Sequence, residues 1–161
     1  MDSIIIFAAK YFIIVVILVF VYVWLRLSAD KRKKMAAMVI AAGILALIIA
    51  KIAGKLYYDP RPFVSHNVKP LIAHAADNGF PSDHSLLAMA LTVVLYFYSR
   101  KWAGVALALT ILIGLARVLA HIHSPIDILG AWLISLAAGL AIRYLMQQLE
   151  WFSPAKKDSD S

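Results

Sequence analysis

Between two of the chain's longest apolar runs lies Arg117 to Asp127, RVLAHIHSPID, with an arginine, a histidine six positions on and an aspartate four further, where one apolar helix ends and another begins. Ionisable groups at such a place are seldom idle. Ser124-Pro125-Ile126-Asp127 reads as a helix start: Ser124 can cap, Pro125 suits the first helical position, and the macrodipole favours the Asp127 carboxylate in the first turn. Asp127 then lies one turn from His123, where it can accept a hydrogen bond from one ring nitrogen and fix the tautomer. The other nitrogen is left to attack or to take a proton, so His123 is a candidate nucleophile. Arg117 brings a bidentate fork to the anionic group under attack. The bland alternative for this stretch alone is a helix cap, a turn histidine and an interfacial anchor.

Two earlier stretches carry similar groups. Arg61 stands between Pro60 and Pro62, which stop the preceding helix and hold the segment extended. Pro81-Ser82-Asp83-His84 opens an apolar run too short to span from Ser85 alone, so a helix is expected to begin at or near Pro81. Its unpaired N–H groups and positive dipole end make an anion site, with the Ser82 hydroxyl as a further donor and His84 one turn in. Taken singly, Arg61 reads as an anchor and the Pro81 stretch as an ordinary cap.

These groups must be positioned by membrane helices. The 161 residues are 63% hydrophobic with a mean hydropathy of +0.81, far too apolar for a soluble domain. The absence of cysteine excludes a disulfide framework, a thiolate zinc site and a cysteine nucleophile. The net charge of +7 sits mostly at the ends of apolar runs, where it acts as a topology signal and argues against nucleic-acid binding. An all-α polytopic bundle of about five transmembrane helices follows, over about 3–25, 35–54, 81–99, 102–120 and 125–149, in one membrane-embedded domain spanning 1–161. The first run is long enough to cross a core of roughly 30 Å at about 1.5 Å per residue. With no cleavage site before Arg26, it reads as a retained helix in which Lys10 snorkels to the headgroups.

Arg26 to Lys34, RLSADKRKK, reads as a short polar loop on the cytoplasmic side, because it sets five basic residues against one acid. Alternation then puts 55–80 on the outer face, the basic turn Ser99 to Trp102 in the cytoplasm, and Arg117, His121 and His123 outside. Arg143, Lys156 and Lys157 belong to the cytoplasmic end, where the tail is expected to fray. Gly104, Gly114, Gly130 and Gly139 suit close helix packing.

Topology thus brings Arg61, Ser82 to His84, Arg117, His123 and Asp127 to one side of the membrane. Two arginine forks, a helix N-terminus, an oriented histidine and a second histidine are the parts of a phosphoryl-transfer site without a metal. The scattered acids Asp59, Asp77, Asp83 and Asp127 argue against a Mg²⁺ cluster.

Arg61-Pro62, Pro81-Ser82-Asp83-His84 and Arg117 with His123 and Asp127 resemble the three motifs of the type 2 phosphatidic acid phosphatase superfamily. Within it, RPFVSH and HAADNGFPSDH resemble the bacitracin-resistance type undecaprenyl-diphosphate phosphatases of bacterial cytoplasmic membranes. The resemblance implies that His123 forms a phosphohistidine and that Asp127 orients it. His84 would protonate the leaving group and then activate water, while Arg61, Ser82 and Arg117 hold the phosphoryl oxygens; no cofactor or metal is implied. The sequence departs from the family's motifs at Gly54, where the first motif has a lysine; Lys55, which follows it, is the candidate substitute in phosphate binding, and Lys51, one turn earlier, is the alternative. Asp83 stands where glycine is common, and Ala116 where serine is common. His66, His74, Asp77 and His121 are treated as loop neighbours.

The leading expectation is a multi-pass lipid phosphatase that hydrolyses undecaprenyl diphosphate to undecaprenyl phosphate and phosphate, with its site on the extracytoplasmic side and the bilayer and its lipids as partners. One alternative keeps the chemistry but takes phosphatidate or phosphatidylglycerophosphate. Another is a non-catalytic lipid-phosphate binder or translocator, which has no need of the His123 and Asp127 pair plus His84. Nothing in the sequence fixes an oligomeric state.

Overall fold

Serines end and restart the apolar helices. In a computed structural model, described for residues 1–149, the helices are α1 (Asp2–Arg26), α2 (Ala29–Leu56), the short α3 (Pro62–Ser65), α4 (Asp83–Tyr98), α5 (Arg100–Leu119) and α6 (Pro125–Gln148). Ser28 is the N-cap of α2, Ser82 of α4, Ser99 of α5 and Ser124 of α6. Among the described residues four helices are long and apolar enough to cross a membrane, and α4 is a shorter apolar one. The protein is a multi-pass membrane helix bundle. Lys156 and Lys157 lie outside the described residues.

One expectation needs correction. The basic stretch from Arg26 to Lys34 is not a loop: only Leu27 and Ser28 interrupt the helices, and α2 runs through Asp30 to Lys34. Lysine and arginine are good helix formers, so an N-cap at Ser28 suffices to start the helix there. Arg32 turns back to close the corner, its Nε donating to the Leu27 carbonyl at 2.9 Å and its guanidinium lying over the Trp24 ring.

Helix α4 is the axis of the bundle. It packs against α1, α2, α5 and α6, while α1 also packs on α5 and α2 on α6. This explains how 16 residues, about 24 Å at 1.5 Å per residue, serve in place of a full span: α4 is jacketed by longer helices. Its buried residues run from Ser85 to Leu95.

Small residues fill much of the interior beside a few large ones such as Met35, Met38, Leu95 and Ile113, and most other large apolar residues face outward. Ala42, Ala46, Ala50, Ala88, Ala106, Ala131 and Ala138 are buried, whereas Ile44, Leu47, Ile111, Leu115, Leu133 and Leu140 are exposed on the flanks. That is the distribution of a bundle packed in lipid, where close backbone approach and interhelical hydrogen bonds replace the hydrophobic drive. The Thr92 and Thr110 hydroxyls meet at 3.1 Å between α4 and α5, and the Ser135 hydroxyl donates to the Leu86 carbonyl at 2.8 Å between α6 and α4. Three of the four glycines singled out for packing do pack closely: a Cβ at Gly114 would stand 2.7 Å from Ile128, at Gly130 it would run into the Phe80 ring, and at Gly139 it would stand 2.5 Å from Val93. Gly104 faces open space.

Candidate active site

The C-terminal ends of α2 and α5 and the N-terminal ends of α4 and α6 meet at one end of the bundle, and the loop from 57 to 81 folds over them. Backbone bonds tie them together: Ser82 N–H donates to the Asp127 carbonyl at 3.2 Å, Leu71 N–H to Ala120 at 3.1 Å, and Phe63 N–H to His121 at 3.1 Å. Helix α4 begins at Asp83 rather than Pro81, with Ser82 as its N-cap. The Ser82 N–H is spent on α6, and its hydroxyl makes no cap bond: it is fully buried, with no partner among the described residues.

His123 is at the centre. Its Nδ1 lies 3.1 Å from Asp127 Oδ2, while Arg61 Nη1 and Arg117 Nη2 approach its Nε2 at 3.4 and 3.3 Å. A guanidinium can only donate, so Nε2 is the acceptor and Nδ1 carries the proton given to the carboxylate. Burial holds the His123 pKa below the ordinary histidine value, as do Arg117 and Arg61, against the upward pull of Asp127. The imidazole is therefore neutral near pH 7, with its free lone pair between two cations.

The capping box expected at the start of α6 is present. Ser124 N–H donates to Asp127 Oδ2 at 2.9 Å, and Asp127 N–H donates to the Ser124 hydroxyl at 3.3 Å. The same carboxylate thus caps a helix and orients His123. Ser124 is held in turn by Asp59, whose carboxylate accepts from its hydroxyl. Gly79 covers Asp127 from outside: a Cβ there would stand 2.7 Å from Oδ2 and 3.2 Å from the Asp59 carbonyl.

Arg61 has the extended backbone that the flanking prolines lead one to expect, and it is also the N-cap residue of the short helix α3, with Pro62 at the first helical position, a helix that was not expected from the sequence. Although in a loop, it is only 5% exposed. Its Nε donates to Asp77 Oδ1 at 2.7 Å and its Nη1 to the Ile122 carbonyl at 2.8 Å. Arg117 comes from the last turn of α5, donates weakly to the Ala9 carbonyl of α1 at 3.4 Å, and keeps a buried Nε without a partner among the described residues.

Arg61, Arg117, His123 and His84 line one cleft of about 380 Å³. Lys51 lines it too, and Lys55 does not. Residues 47, 50, 51 and 54 form the stripe of α2 that faces the cleft, and Gly54 lies against the Phe80 carbonyl, where a Cβ would be at 3.0 Å. Of the four loop neighbours, His74 and Asp77 line the cleft; His66 and His121 are exposed outside it. The His74 ring stands 6.2 Å from that of His123, and burial together with Arg61 and Arg117 lowers its pKa. Asp59, Asp77 and Asn78 carry structural bonds here that no local spacing announced. Asn78 could have been suspected from its type, because a side chain with both donors and acceptors suits a loop clamp. Among the described residues no three His, Asp or Glu side chains converge to hold a metal ion.

The family model of the PAP2 superfamily matches residues 34–151, most of the chain and all of this cleft. The chain belongs to that superfamily. Undecaprenyl-diphosphatase BcrC of Bacillus subtilis (strain 168) is 35% identical over 139 residues, which are 86% of this chain and 72% of that protein. A Bacillus licheniformis protein named bacitracin transport permease protein BcrC is 28% identical over 152 residues, covering 94% of this chain and 74% of its own length. The crystal structure of Aquifex aeolicus LpxE superposes with a TM-score of 0.69 at 21% identity, covering 89% of this chain and 85% of that one, which shows a shared fold. As a PAP2 superfamily member with these relatives, the protein is a membrane-embedded lipid phosphatase.

Proposed function

We propose that the protein hydrolyses undecaprenyl diphosphate to undecaprenyl phosphate and phosphate at the outer face of the cytoplasmic membrane, through a phosphohistidine at His123. The observation that carries the chemistry is the pair of guanidinium nitrogens at 3.3 and 3.4 Å from an imidazole nitrogen whose partner nitrogen is bound to a buried carboxylate. In the first step Nε2 forms a bond to the terminal phosphorus, and the bond from that phosphorus to the bridging oxygen breaks. His84 gives a proton to the departing undecaprenyl phosphate. In the second step His84 takes a proton from water, the resulting hydroxide attacks phosphorus, and the P–N bond breaks to release phosphate and restore neutral His123. Arg61, Arg117 and the Ser82 hydroxyl hold the equatorial oxygens as charge develops.

The substrate assignment rests on three further points. An apolar groove of about 460 Å³ between α2 and α4, floored by Gly43, Ala46 and Ala90, shares Leu47 and Asp83 with the cleft, so a lipid chain in it would present its headgroup to His123. Lys51 adds a third cation beside the two arginines, enough charge for two adjacent phosphates. The Bacillus subtilis relative is named for this activity. Charge supports the orientation: the basic stretches Arg26 to Lys34 and Arg100 to Lys101 lie at the end of the bundle opposite the cleft, and basic ends tend to stay inside.

A transport reading is favoured by the Bacillus licheniformis relative's name, bacitracin transport permease protein, although that name speaks of bacitracin and not of a lipid phosphate. That reading leaves the His123 and Asp127 pair without a use, since binding alone needs no oriented nucleophile. Phosphate release by purified protein across undecaprenyl diphosphate, phosphatidate and phosphatidylglycerophosphate separates the readings. The polyprenyl diphosphate should be hydrolysed most efficiently, with activity surviving chelation of divalent ions. Phosphatidate turned over at least as well would overturn the substrate, and no release from any of them would overturn the enzyme.

A further inference from the structure

Asp77 belongs to none of the three motifs, yet its carboxylate is bound to a guanidinium that faces the nucleophile. We propose that Asp77 is a positioning residue for phosphoryl transfer: by accepting from Arg61 Nε it fixes the plane and aim of the Arg61 fork over His123. The inference rests on the reading of His123 as the nucleophile.

Two of the three Arg61 guanidinium nitrogens are engaged by the protein on different sides. Nε donates to Asp77 at 2.7 Å, and Nη1 donates to the Ile122 carbonyl at 2.8 Å while lying 3.4 Å from His123 Nε2. A planar group held at two nitrogens cannot rotate, so Nη2 and the second Nη1 proton are directed without reorganisation when phosphoryl charge develops. The supports of the pair are independent of each other. Asn78, next to Asp77, accepts from Asp59 N–H at 2.9 Å and Phe80 N–H at 3.0 Å, and donates to the Gly54 and Tyr57 carbonyls at 2.8 and 3.0 Å. Those four bonds fix the backbone beside Asp77 to the end of α2. The backbone beside Arg61 is fixed by Phe63 N–H on the His121 carbonyl and by the short helix α3.

A carboxylate near a phosphate site repels the substrate, and the geometry shows why that cost is small here. The Asp77 side chain is 60% exposed while that of Arg61 is 6% exposed, so water screens the long-range repulsion but does not loosen the short directional bond. The Arg61 hydrogen bond also holds the Asp77 carboxyl below the usual carboxylate range, which keeps the acceptor ionised through neutral pH.

The test is steady-state hydrolysis of undecaprenyl diphosphate by purified full-length protein, with Asp77→Ala, Asp77→Asn, Arg61→Ala and the Asp77→Ala/Arg61→Ala double variant. Asp77→Ala should lower kcat about tenfold with little change in KM, because orientation rather than binding is lost. Asp77→Asn, which keeps an acceptor oxygen, should recover most of that loss. In the Arg61→Ala background, Asp77→Ala should cost nothing further, the signature of two residues acting as one unit. Thermal unfolding of each variant identifies loss through misfolding, which an exposed carboxylate is not expected to cause. Unchanged kcat, a rise in KM alone, or full multiplicative loss in the double variant would overturn the proposal. Failure of the wild type to hydrolyse the lipid would instead overturn the function itself.

Discussion

Arg117 Nη2 stands 3.3 Å from His123 Nε2, the ring nitrogen not committed to Asp127, although the two residues are separated by the turn between α5 and α6. The turn makes this approach possible: Ala120 and His121 N–H groups cap the last carbonyls of α5, His121 takes a left-handed conformation at φ 59°, and the chain reverses so that His123 faces the helix it has just left. The proposed role of Arg117 requires a fork there rather than a charge alone. Arg117→Lys keeps the cation but loses planar bidentate geometry, and we predict a fall in kcat/KM of about tenfold to a hundredfold. Steady-state kinetics on the purified variant checks this; wild-type kinetics in the lysine form would show that only charge matters.

The state of His123 sets a pH dependence. Attack needs the neutral imidazole, and burial with the two arginines holds the His123 pKa below the ordinary histidine value. Activity should therefore persist as pH falls through the normal histidine range and drop only below it, where Nε2 becomes protonated. Asp127 raises that pKa, so Asp127→Asn should move the acid limb to still lower pH while lowering kcat by about a hundredfold or more through loss of orientation. The pH profile of kcat/KM for both proteins is the check, and an acid limb at or above the normal histidine value in the wild type would contradict it.

Gly79 should be as sensitive as a motif residue. A methyl group there would overlap Asp127 Oδ2 at 2.7 Å, and that carboxylate is fixed by Ser124 N–H as well as by His123. Gly79→Ala must displace either the loop or the orienting carboxylate, and kcat should fall by about tenfold or more. Kinetics alongside thermal unfolding tests it; full activity would mean that Asp127 can shift without consequence.

Local chemistry made part of this site legible in advance. Ser124 and Asp127 are three apart and form a cap, so their bond and the placing of His123 one turn away follow from sequence spacing alone. The long apolar runs gave the helices, and Pro60 and Pro62 gave the extended setting of Arg61. Contacts across the loop were not legible. Asp59 reaches Ser124 and Asp77 reaches Arg61 over 65 and 16 residues, and no periodicity relates such positions. Lys51 was within reach of a helical argument: 47, 50, 51 and 54 make one stripe of α2, and placing Gly54 against the loop puts Lys51, not Lys55, on the cleft. The basic stretch from Arg26 to Lys34 looks like a loop by its charge, but the helix propensity of lysine and arginine carries α2 through it.

The proposed orientation can be tested on a background free of native cysteine. Asn67→Cys, in the loop over the cleft, should react with a membrane-impermeant thiol reagent in intact cells, whereas Ser28→Cys should react only after lysis. The reverse pattern would put the cleft on the cytoplasmic side.

The central claim is covalent chemistry at His123. Rapid acid-free quenching of purified protein mixed with undecaprenyl diphosphate labelled in its terminal phosphate, followed by peptide mass spectrometry, should trap one phosphoryl group that is stable in alkali and lost in acid, on the peptide containing His123. His84→Ala should accumulate more of it, because a phosphate leaving group needs little protonation and the water step is slowed more, and His123→Ala should form none. A phosphoryl group on any other residue, or steady turnover by His123→Ala, would contradict the account.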